Sequence, residues 1–429
     1  MRLNLWSPLP PSASGIADYA AEQLPALRRA FDVRLVSAET QQRPAADLEL
    51  YQIGNSAEHA FVYRAALEQP GVVLLHDWSL HHLVLGETVE RGRPESYLRE
   101  MRRAYGETGT FVGGQVARAL GGELLPARYP LNERLLESAL AVVGLTGHVA
   151  SRAAASLGGR PTLRLPHHLA LPIDPLPTRA EARLALGLPA DALLVTAPGL
   201  ATASKRLDVA IRVVARLRQR FPSLALVVAG GADPRLPLDA WSRAAGLGDG
   251  LILAGRQSLE DFVRHLVAAD VVLALRFPSH GEMSGALVRA LGVGRPVLVT
   301  AGTPAEDELP EGLVAPVDPG RAEAAELEAL LERLLEDAGL RETLGQLARA
   351  HVLAHHDLEK TTARLAAFLV SVEARKPALL QDIDAARVPA DSLEAFLLDE
   401  LRLGARELGL ATAPLGLEAI VKELVGGGR

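Results

Sequence analysis

Twice along this chain, short apolar runs alternate with amphipathic helical stretches, and that double alternation limits the fold more than any other feature. The first series has strand-like runs at 1–6, 33–37, 48–53, 72–75, 140–145 and 162–165. The second has them at 192–197, 224–229, 251–254, 270–275, 296–300 and 313–316. Each run is rich in Val, Leu, Ile and Ala and too short for a buried helix, which is how a parallel strand covered on both faces reads. Strand, helix, strand in repetition gives a parallel sheet with helices on both sides. Between the two series lies PHHLALPIDPLP, from Pro166 to Pro177, with four prolines in twelve residues. Proline fixes φ and lacks an N–H, so this segment is expected to be an extended hinge. The expected fold class is therefore α/β, with two doubly wound, Rossmann-like parallel-sheet domains and a helical C-terminal extension. The expected boundaries are 1–170, 171–356 and 357–429.

Two segments depart from the alternation. Residues 96–140 read as helical, with breaks at Gly113-Gly114 and Gly121-Gly122. Residues 373–429 carry DSLEAFLLDELRLGARELG and GLEAIVKELVGGG, amphipathic helices with no strand signal. The helices from 357 onward are expected to return across the first domain or to meet another subunit, so self-association through them is an open expectation.

Composition excludes several function classes. The formal net charge is −7, which argues against a nucleic-acid partner that needs a strongly basic face. There is no cysteine, so disulfides, thiolate metal sites and cysteine nucleophiles are ruled out. The N-terminal MRLNLWSPLPPSASG lacks an apolar signal-peptide core, and no window approaches the ~18 apolar residues of a membrane span. A soluble cytoplasmic protein is the expectation.

Open parallel sheets bind ligands beyond the carboxyl ends of their strands. After the first strand comes Ser12-Ala13-Ser14-Gly15, leading into a helix with Asp18. After 72–75 comes His76-Asp77. After 192–197 come Pro198-Gly199 and then Lys205-Arg206. Lys205 is one of only four lysines among 45 basic residues. After 271–275 comes RFPSHGEMSGALVRALGVGRP, from Arg276 to Pro296, a polar turn opening into a helix. The helix start would aim backbone N–H groups of Met283, Ser284 and Gly285, and its positive end, at a phosphate. Simpler roles compete at each position: Lys205 as a solvated helix-start residue, Glu282 as a cap for its own helix, His76 as a core histidine. His81, His82, His167 and His168 read as structural or surface groups. No carboxylate or cysteine framework turns His148, His167 and His168 into a metal site. Asp382-Ile383-Asp384 has an Asp-x-Asp form but falls in the helical tail.

Four motifs in this order resemble the GT-B-fold nucleotide-sugar glycosyltransferases, in particular the retaining family 4, or group 1, transferases. The resemblance covers roughly 1–372. PLPPSASGIADYAAEQLPAL is similar to the N-terminal glycine loop of a branch carrying SGIADY, and VVLLHDWSLHHL to its histidine-aspartate strand end. GLATASKRLDVAI resembles the family's glycine-to-lysine motif, and FPSHGEMSGALVRALGVGRPVLV its acidic motif. The resemblance implies a retaining hexosyltransferase that needs no metal or other cofactor. It would move a sugar from a UDP- or GDP-type donor to an acceptor in polysaccharide or glycoconjugate synthesis. The donor would bind the second domain through Gly15, Gly199, Lys205, Arg206, Met283, Ser284 and Gly285, and the acceptor the first, near Ser14, Asp18 and Asp77. His76, Lys205 and Glu282 would be the catalytic groups. Three departures stand out. The family's second helix carboxylate is replaced by Arg289, the arginine after its glycine by Leu200, and its Pro-Asn-Gly-Val-Asp by Pro166-His167-His168-Leu169-Ala170. These leave room for a nucleotide-sugar epimerase of the same fold, or for a degenerate, non-catalytic binding subunit. A glycoside hydrolase fits less well, since only Glu282 is available where two facing carboxylates are needed.

Overall fold

The computed structural model describes all residues except 13, 41, 387–392, 408–409, 411–415 and 427–429. Parts of the C-terminal helical tail, and Ala13 of the first glycine loop, thus lie outside the described residues. The chain divides into two compact units. The first comprises Met1–Leu165, His280–Glu282 and Thr362–Arg429, and the second Pro166–Ser279 and Met283–Thr361.

The first unit is built on a six-stranded sheet of β1 (Arg2–Trp6), β2 (Asp32–Val36), β3 (Leu48–Ile53), β4 (Val72–Leu75), β5 (Ala141–Gly144) and β6 (Thr162–Arg164). The order is β2-β1-β3-β4-β5-β6, parallel throughout. All of β3, β4 and β5 is buried, as apolar runs without alternation require. Glu49 and Gln52 of β3 are the buried polar exceptions, and Glu49, at 2 % exposure, is the charged one. It accepts from Asn4 Nδ2 at 3.1 Å, Trp6 Nε1 at 2.6 Å and Arg43 Nε at 3.3 Å, so its charge is compensated.

The second unit repeats the plan with β7 (Leu194–Pro198), β8 (Ala225–Ala229), β9 (Leu251–Leu253), β10 (Val271–Ala274), β11 (Val297–Thr300) and β12 (Ala315–Val317). Its order is β12-β11-β10-β7-β8-β9, again parallel. The chain lays β7, β8 and β9 outward on one side and then crosses back to place β10 on the other side of β7. The loops after β7 and β10 therefore leave neighbouring strands in opposite directions, which opens a crevice at their carboxyl ends. At the opposite edge, Asp270 (2 % exposed) binds Arg183 Nη2 at 2.8 Å, Arg179 Nη1 at 2.5 Å and the Leu194 N–H at 2.8 Å. That carboxylate ties the first turns of helix Arg179–Leu186 to the strand starts.

Of the two breaks expected in the helical stretch 96–140, the one at Gly121-Gly122 is present, between helices Pro94–Val116 and Leu125–Arg128, but the other falls elsewhere. Gly113 and Gly114 lie within the helical segment Pro94–Val116, and the kink falls at Gly106 (φ 65°, ψ −144°). The reason is packing. A Cβ on Gly109 would sit 2.1 Å from the Met101 carbonyl oxygen, and one on Gly113 3.2 Å from the Met101 side chain. Glycines four apart form a flat stripe on which the chain after the kink folds back against Met101. The hinge prolines do leave 166–178 without helix or strand, but the segment is not loose. Leu169 donates to the His356 carbonyl at 2.6 Å, and His167 and His168 are 5 % and 1 % exposed. The 29-residue helix Leu358–Ala386 lies largely in the first unit, where Arg364 donates to the Arg164 carbonyl at 3.1 Å and Lys376 to that of Asp47 at 2.6 Å. Asp382 and Asp384 lie in this helix, at no strand end. Helices Leu393–Glu407 and Leu417–Gly426 close over Leu398, Ala405, Leu417 and Val421, with Arg402 paired to Glu418 at 2.7 Å.

Candidate functional site

In the second unit, the crossover between β7 and β10 brings together residues far apart in sequence, such as Ser204 and Phe277. Gly199 follows β7 with φ 82°, a left-handed turn that glycine adopts without penalty. The Lys205 ammonium folds back under that turn, where it donates to the Pro198 carbonyl. A Cβ on Gly199 would lie 2.9 Å from Lys205 Nζ, so glycine serves both the turn and the lysine. From the β10 side, the Phe277 N–H donates to the Ser204 carbonyl at 2.7 Å and pins the two loops to each other. Arg276, whose backbone N–H donates to Thr300 Oγ1 at 2.8 Å, carries its charge close enough to act on Lys205. Burial and the neighbouring Arg276 lower the Lys205 pKa from its usual value to about 7. A cation is thus held where desolvation and a like charge both disfavour it, an arrangement that an anion would relieve.

The remaining donor-side candidates fall into two groups. Ser284 caps helix Gly285–Gly292, its hydroxyl accepting from the Leu287 N–H, with Met283 buried just before it. The first-turn N–H groups of such a helix have no partner within it and point along its positive end. Gly285 is bounded on its Cα side: a Cβ there would meet Arg289 Nη1 at 3.0 Å and His167 Nε2 at 3.1 Å. Arg289 is buried, and its Nε donates to the Ala170 carbonyl at 3.3 Å. Arg206, in contrast, is spoken for. It has φ 56° and grips the buried Glu323 with Nε to both carboxylate oxygens, at 3.0 and 3.1 Å. Its charge is largely compensated, whereas Arg276, absent from the residues singled out in the sequence, stands beside Lys205. Only the sheet order could have pointed to Arg276.

The first-unit candidates gather at the carboxyl ends of β1, β3 and β4. His76 (7 % exposed) packs edge-on against Tyr19, ring centroids 4.8 Å apart, and its N–H donates to the Ile53 carbonyl at 3.0 Å. Tyr19 belongs to helix Gly15–Ala30, so the glycine loop and the histidine strand end meet in space. Ser14 is the N-cap of that helix, accepting from the Ile16 N–H at 3.2 Å, with Asp18 in its first turn. A Cβ on Gly15 would meet nothing within 4 Å, which leaves its backbone open to approach. Asp77 Oδ2 accepts from the Asn55 N–H at 2.8 Å. Gly54, which sequence reasoning passed over, sits among these groups. A Cβ there would lie 2.2 Å from Ile16 Cδ1 and 3.2 Å from Asp77 Oδ2.

Glu282 counts with this unit. It is 8 % exposed, and its Oε2 accepts from the His280 N–H at 2.6 Å. It does not cap the helix that follows, because Ser284 does. The turn is held by Trp78 and Ser79 N–H groups on the His280 carbonyl, at 2.7 and 3.1 Å, and by Gly281 (φ 89°), where a Cβ would strike Trp78 Cβ at 2.6 Å. The other histidines have structural partners. His81 bridges the Tyr129 carbonyl at 2.6 Å and the Tyr97 hydroxyl at 2.9 Å, and His167 Nδ1 meets the His168 carbonyl at 2.7 Å. Among the described residues no group of three or more His, Asp or Glu is arranged to hold a metal ion. Nor, among them, is any helix long and apolar enough to cross a membrane.

Comparison with known proteins shows what the chain is similar to. The D-inositol 3-phosphate glycosyltransferase of Salinispora arenicola is 35% identical over 187 residues, 40% of either chain. That of Actinosynnema mirum is 31% identical over 200 residues, 44% of this chain and 47% of the relative. The chain thus spans less than half the length of these curated relatives. Among solved structures, a sucrose-phosphate synthase (tll1590) from Thermosynechococcus elongatus superposes with a TM-score of 0.60 at 17% identity, over 87% of this chain and 99% of that one. Anabaena Alr3699/HepE in complex with UDP and glucose gives 0.58 at 16%, over 86% and 100%. These likenesses show the fold: the doubly wound, two-sheet GT-B class expected from the sequence. Residues 178–351, which carry the whole second sheet, match the family described as glycosyl transferases group 1.

Proposed function

We propose that the protein is a retaining glycosyltransferase that needs no metal and moves a sugar from a nucleotide-diphosphate donor to a carbohydrate or glycoconjugate acceptor, in the cytoplasm. The observation that carries this reading is the half-buried position of Lys205 at the β7/β10 crossover, beside Arg276, where desolvation and that like charge lower its pKa. Breaking the bond between a sugar and a diphosphate develops negative charge on the leaving phosphate. A fixed cation in a dry site can hold that charge without a metal, and one such group is worth ~2.7–4 kcal/mol, or roughly 10²–10³ in rate. Lys205 and Arg276 supply the charge, and the backbone N–H groups of Met283, Ser284 and Gly285, at the start of helix Gly285–Gly292, supply oriented dipoles. Gly199 lets the backbone approach. Arg206 acts on the loop through Glu323 and not on the donor. Glu282 and His76 are assigned to the sugar and acceptor side, with Ser14, Gly15, Asp18 and Asp77. The donor is assigned as a UDP-sugar, in keeping with the UDP and UDP-glucose named for the Anabaena protein of the same fold.

The test is UDP release from UDP-glucose, with GDP- and dTDP-sugars in parallel, each with and without a chelator. Lys205→Met and Glu282→Ala should each lower turnover at least ~100-fold while leaving the fold intact. Near-normal rates in both variants refute the site, and a chelator-sensitive rate refutes metal independence. Inversion of the anomeric carbon in the product, read by proton NMR, refutes retention.

A further inference from the structure

The first unit holds a cavity with a charged lining that the proposed chemistry does not use. It has a volume of about 250 Å³ and is walled by the helices Ala60–Glu68, His81–Glu87, Pro94–Val116 and Glu133–Ser138, with no residue from a strand end. Its charged lining is Arg64, Arg93, Arg99 and Arg134 against Glu87 and Glu100. Both carboxylates are already engaged: Glu87 pairs with Arg64 and, at 2.8 Å, with Arg91, and Glu100 pairs with Arg134 at 2.5 Å. The Arg93 guanidinium donates to the Glu87 carbonyl, at 2.9 Å, and that of Arg99 to Ser96 Oγ, at 3.0 Å. Neither makes an ion pair among the described residues. Four guanidiniums and two carboxylates leave the lining two positive charges in excess, in a chain whose net charge is −7. The helix starting at Pro94 has no side-chain cap, and Ser96 of its first turn lies in the cavity wall, so its positive end adds to the same field.

We infer that this cavity is a binding site for a phosphomonoester dianion, separate from the donor site. A dianion would bring the lining to neutrality, and Arg93 and Arg99 can each turn a planar fork of donors toward its oxygens. The volume is just below the ~300 Å³ at which pockets for drug-sized ligands begin, which suits a phosphate carrying a small organic group. The site stands independently of the proposed transferase activity, since none of its residues belongs to that machinery.

The experiment measures binding of inorganic phosphate to the full chain by calorimetry at fixed ionic strength, with chloride as the replacing anion. It is run in the Lys205→Met background so that the second unit contributes no competing phosphate site. Saturable binding, weakened at least tenfold by Arg93→Ala with Arg99→Ala, is the expected result. Both arginines are exposed and outside any ion pair, so the double variant should keep the parent's melting temperature. Arg64→Ala, which leaves Glu87 one cation fewer, should weaken binding as well. Two further probes separate the sources of the phosphate: glucose 6-phosphate, and vesicles of phosphatidylcholine with phosphatidic acid. Arginine-dependent binding of the first assigns a soluble ligand, and arginine-dependent co-sedimentation with the second a lipid headgroup. No saturation up to tens of millimolar phosphate, or equal affinity in the double variant, overturns the inference.

Discussion

Donor binding should drag a proton into the protein, and the amount can be worked out from Lys205. With its pKa lowered to about 7 by burial and by Arg276, the free protein's ammonium is largely deprotonated at pH 8, only ~0.1 of it carrying a proton. A diphosphate placed against Nζ reverses the balance and restores a pKa near the usual ~10.4 for lysine. Binding at pH 8 then takes up ~0.9 proton per donor, and at pH 6, where the free lysine is already charged, only ~0.1. The sign follows directly. Protonation favours the bound state, so affinity is at its full value below pH 7 and falls as pH rises through it. The fall approaches tenfold per unit, or ~1.4 kcal/mol, until the bound-state pKa is reached.

Calorimetry of UDP-glucose at pH 8 in buffers of different ionisation enthalpy reads the proton count as a slope, and the diphosphate diester itself has no proton to exchange near neutrality. Lys205→Met should bind more weakly and show a slope near zero. Wild-type protein that binds UDP-glucose tightly at pH 8 with no proton uptake would refute the argument, because the lysine would then be either charged already or remote from the diphosphate. An Arg276→Ala variant separates the two causes of the shift. Removing the like charge should raise the free-state pKa and move the break in affinity to higher pH, without abolishing it.

Two further outcomes concern the framework. Asp270→Ala would strand the buried Arg183 without its carboxylate and should cost ~3–5 kcal/mol in urea unfolding, with Asp270→Asn keeping part of that through the Leu194 N–H. Gly109→Ala should destabilise the first unit by ~1–3 kcal/mol, because the new methyl meets a backbone carbonyl at 2.1 Å, whereas Gly15→Ala, which meets nothing, should leave stability nearly unchanged.

What the sequence made legible follows from period. A strand buried on both faces reads as a short, mostly apolar run, and VVLL at Val72–Leu75 or AVVG at Ala141–Gly144 shows that plainly in a chain of alternating elements. The polar residues at strand ends were visible for the same reason, since a run must end where the sheet edge meets a loop. What pairs with what was not. Arg206 and Lys205 are adjacent in sequence and alike in charge, yet one reaches Glu323, 117 residues away, while the other turns back to Pro198, seven away. That division depends on a left-handed residue at Arg206, which no propensity scale favours for arginine. Glycine was misleading in the same way. Gly113-Gly114 looks like a break because a glycine pair is flexible in isolation, but packing against Met101 turns the stripe into a contact surface and moves the kink to Gly106. The strand order that sets Arg276 beside Lys205 is likewise a property of the finished sheet. The candidate site of the second unit thus lies where sequence is least informative, at the pair of neighbouring strands between which that sheet reverses its direction of assembly. There, two loops with no local reason to meet are forced together, and the groups they carry acquire properties that neither loop would give them alone.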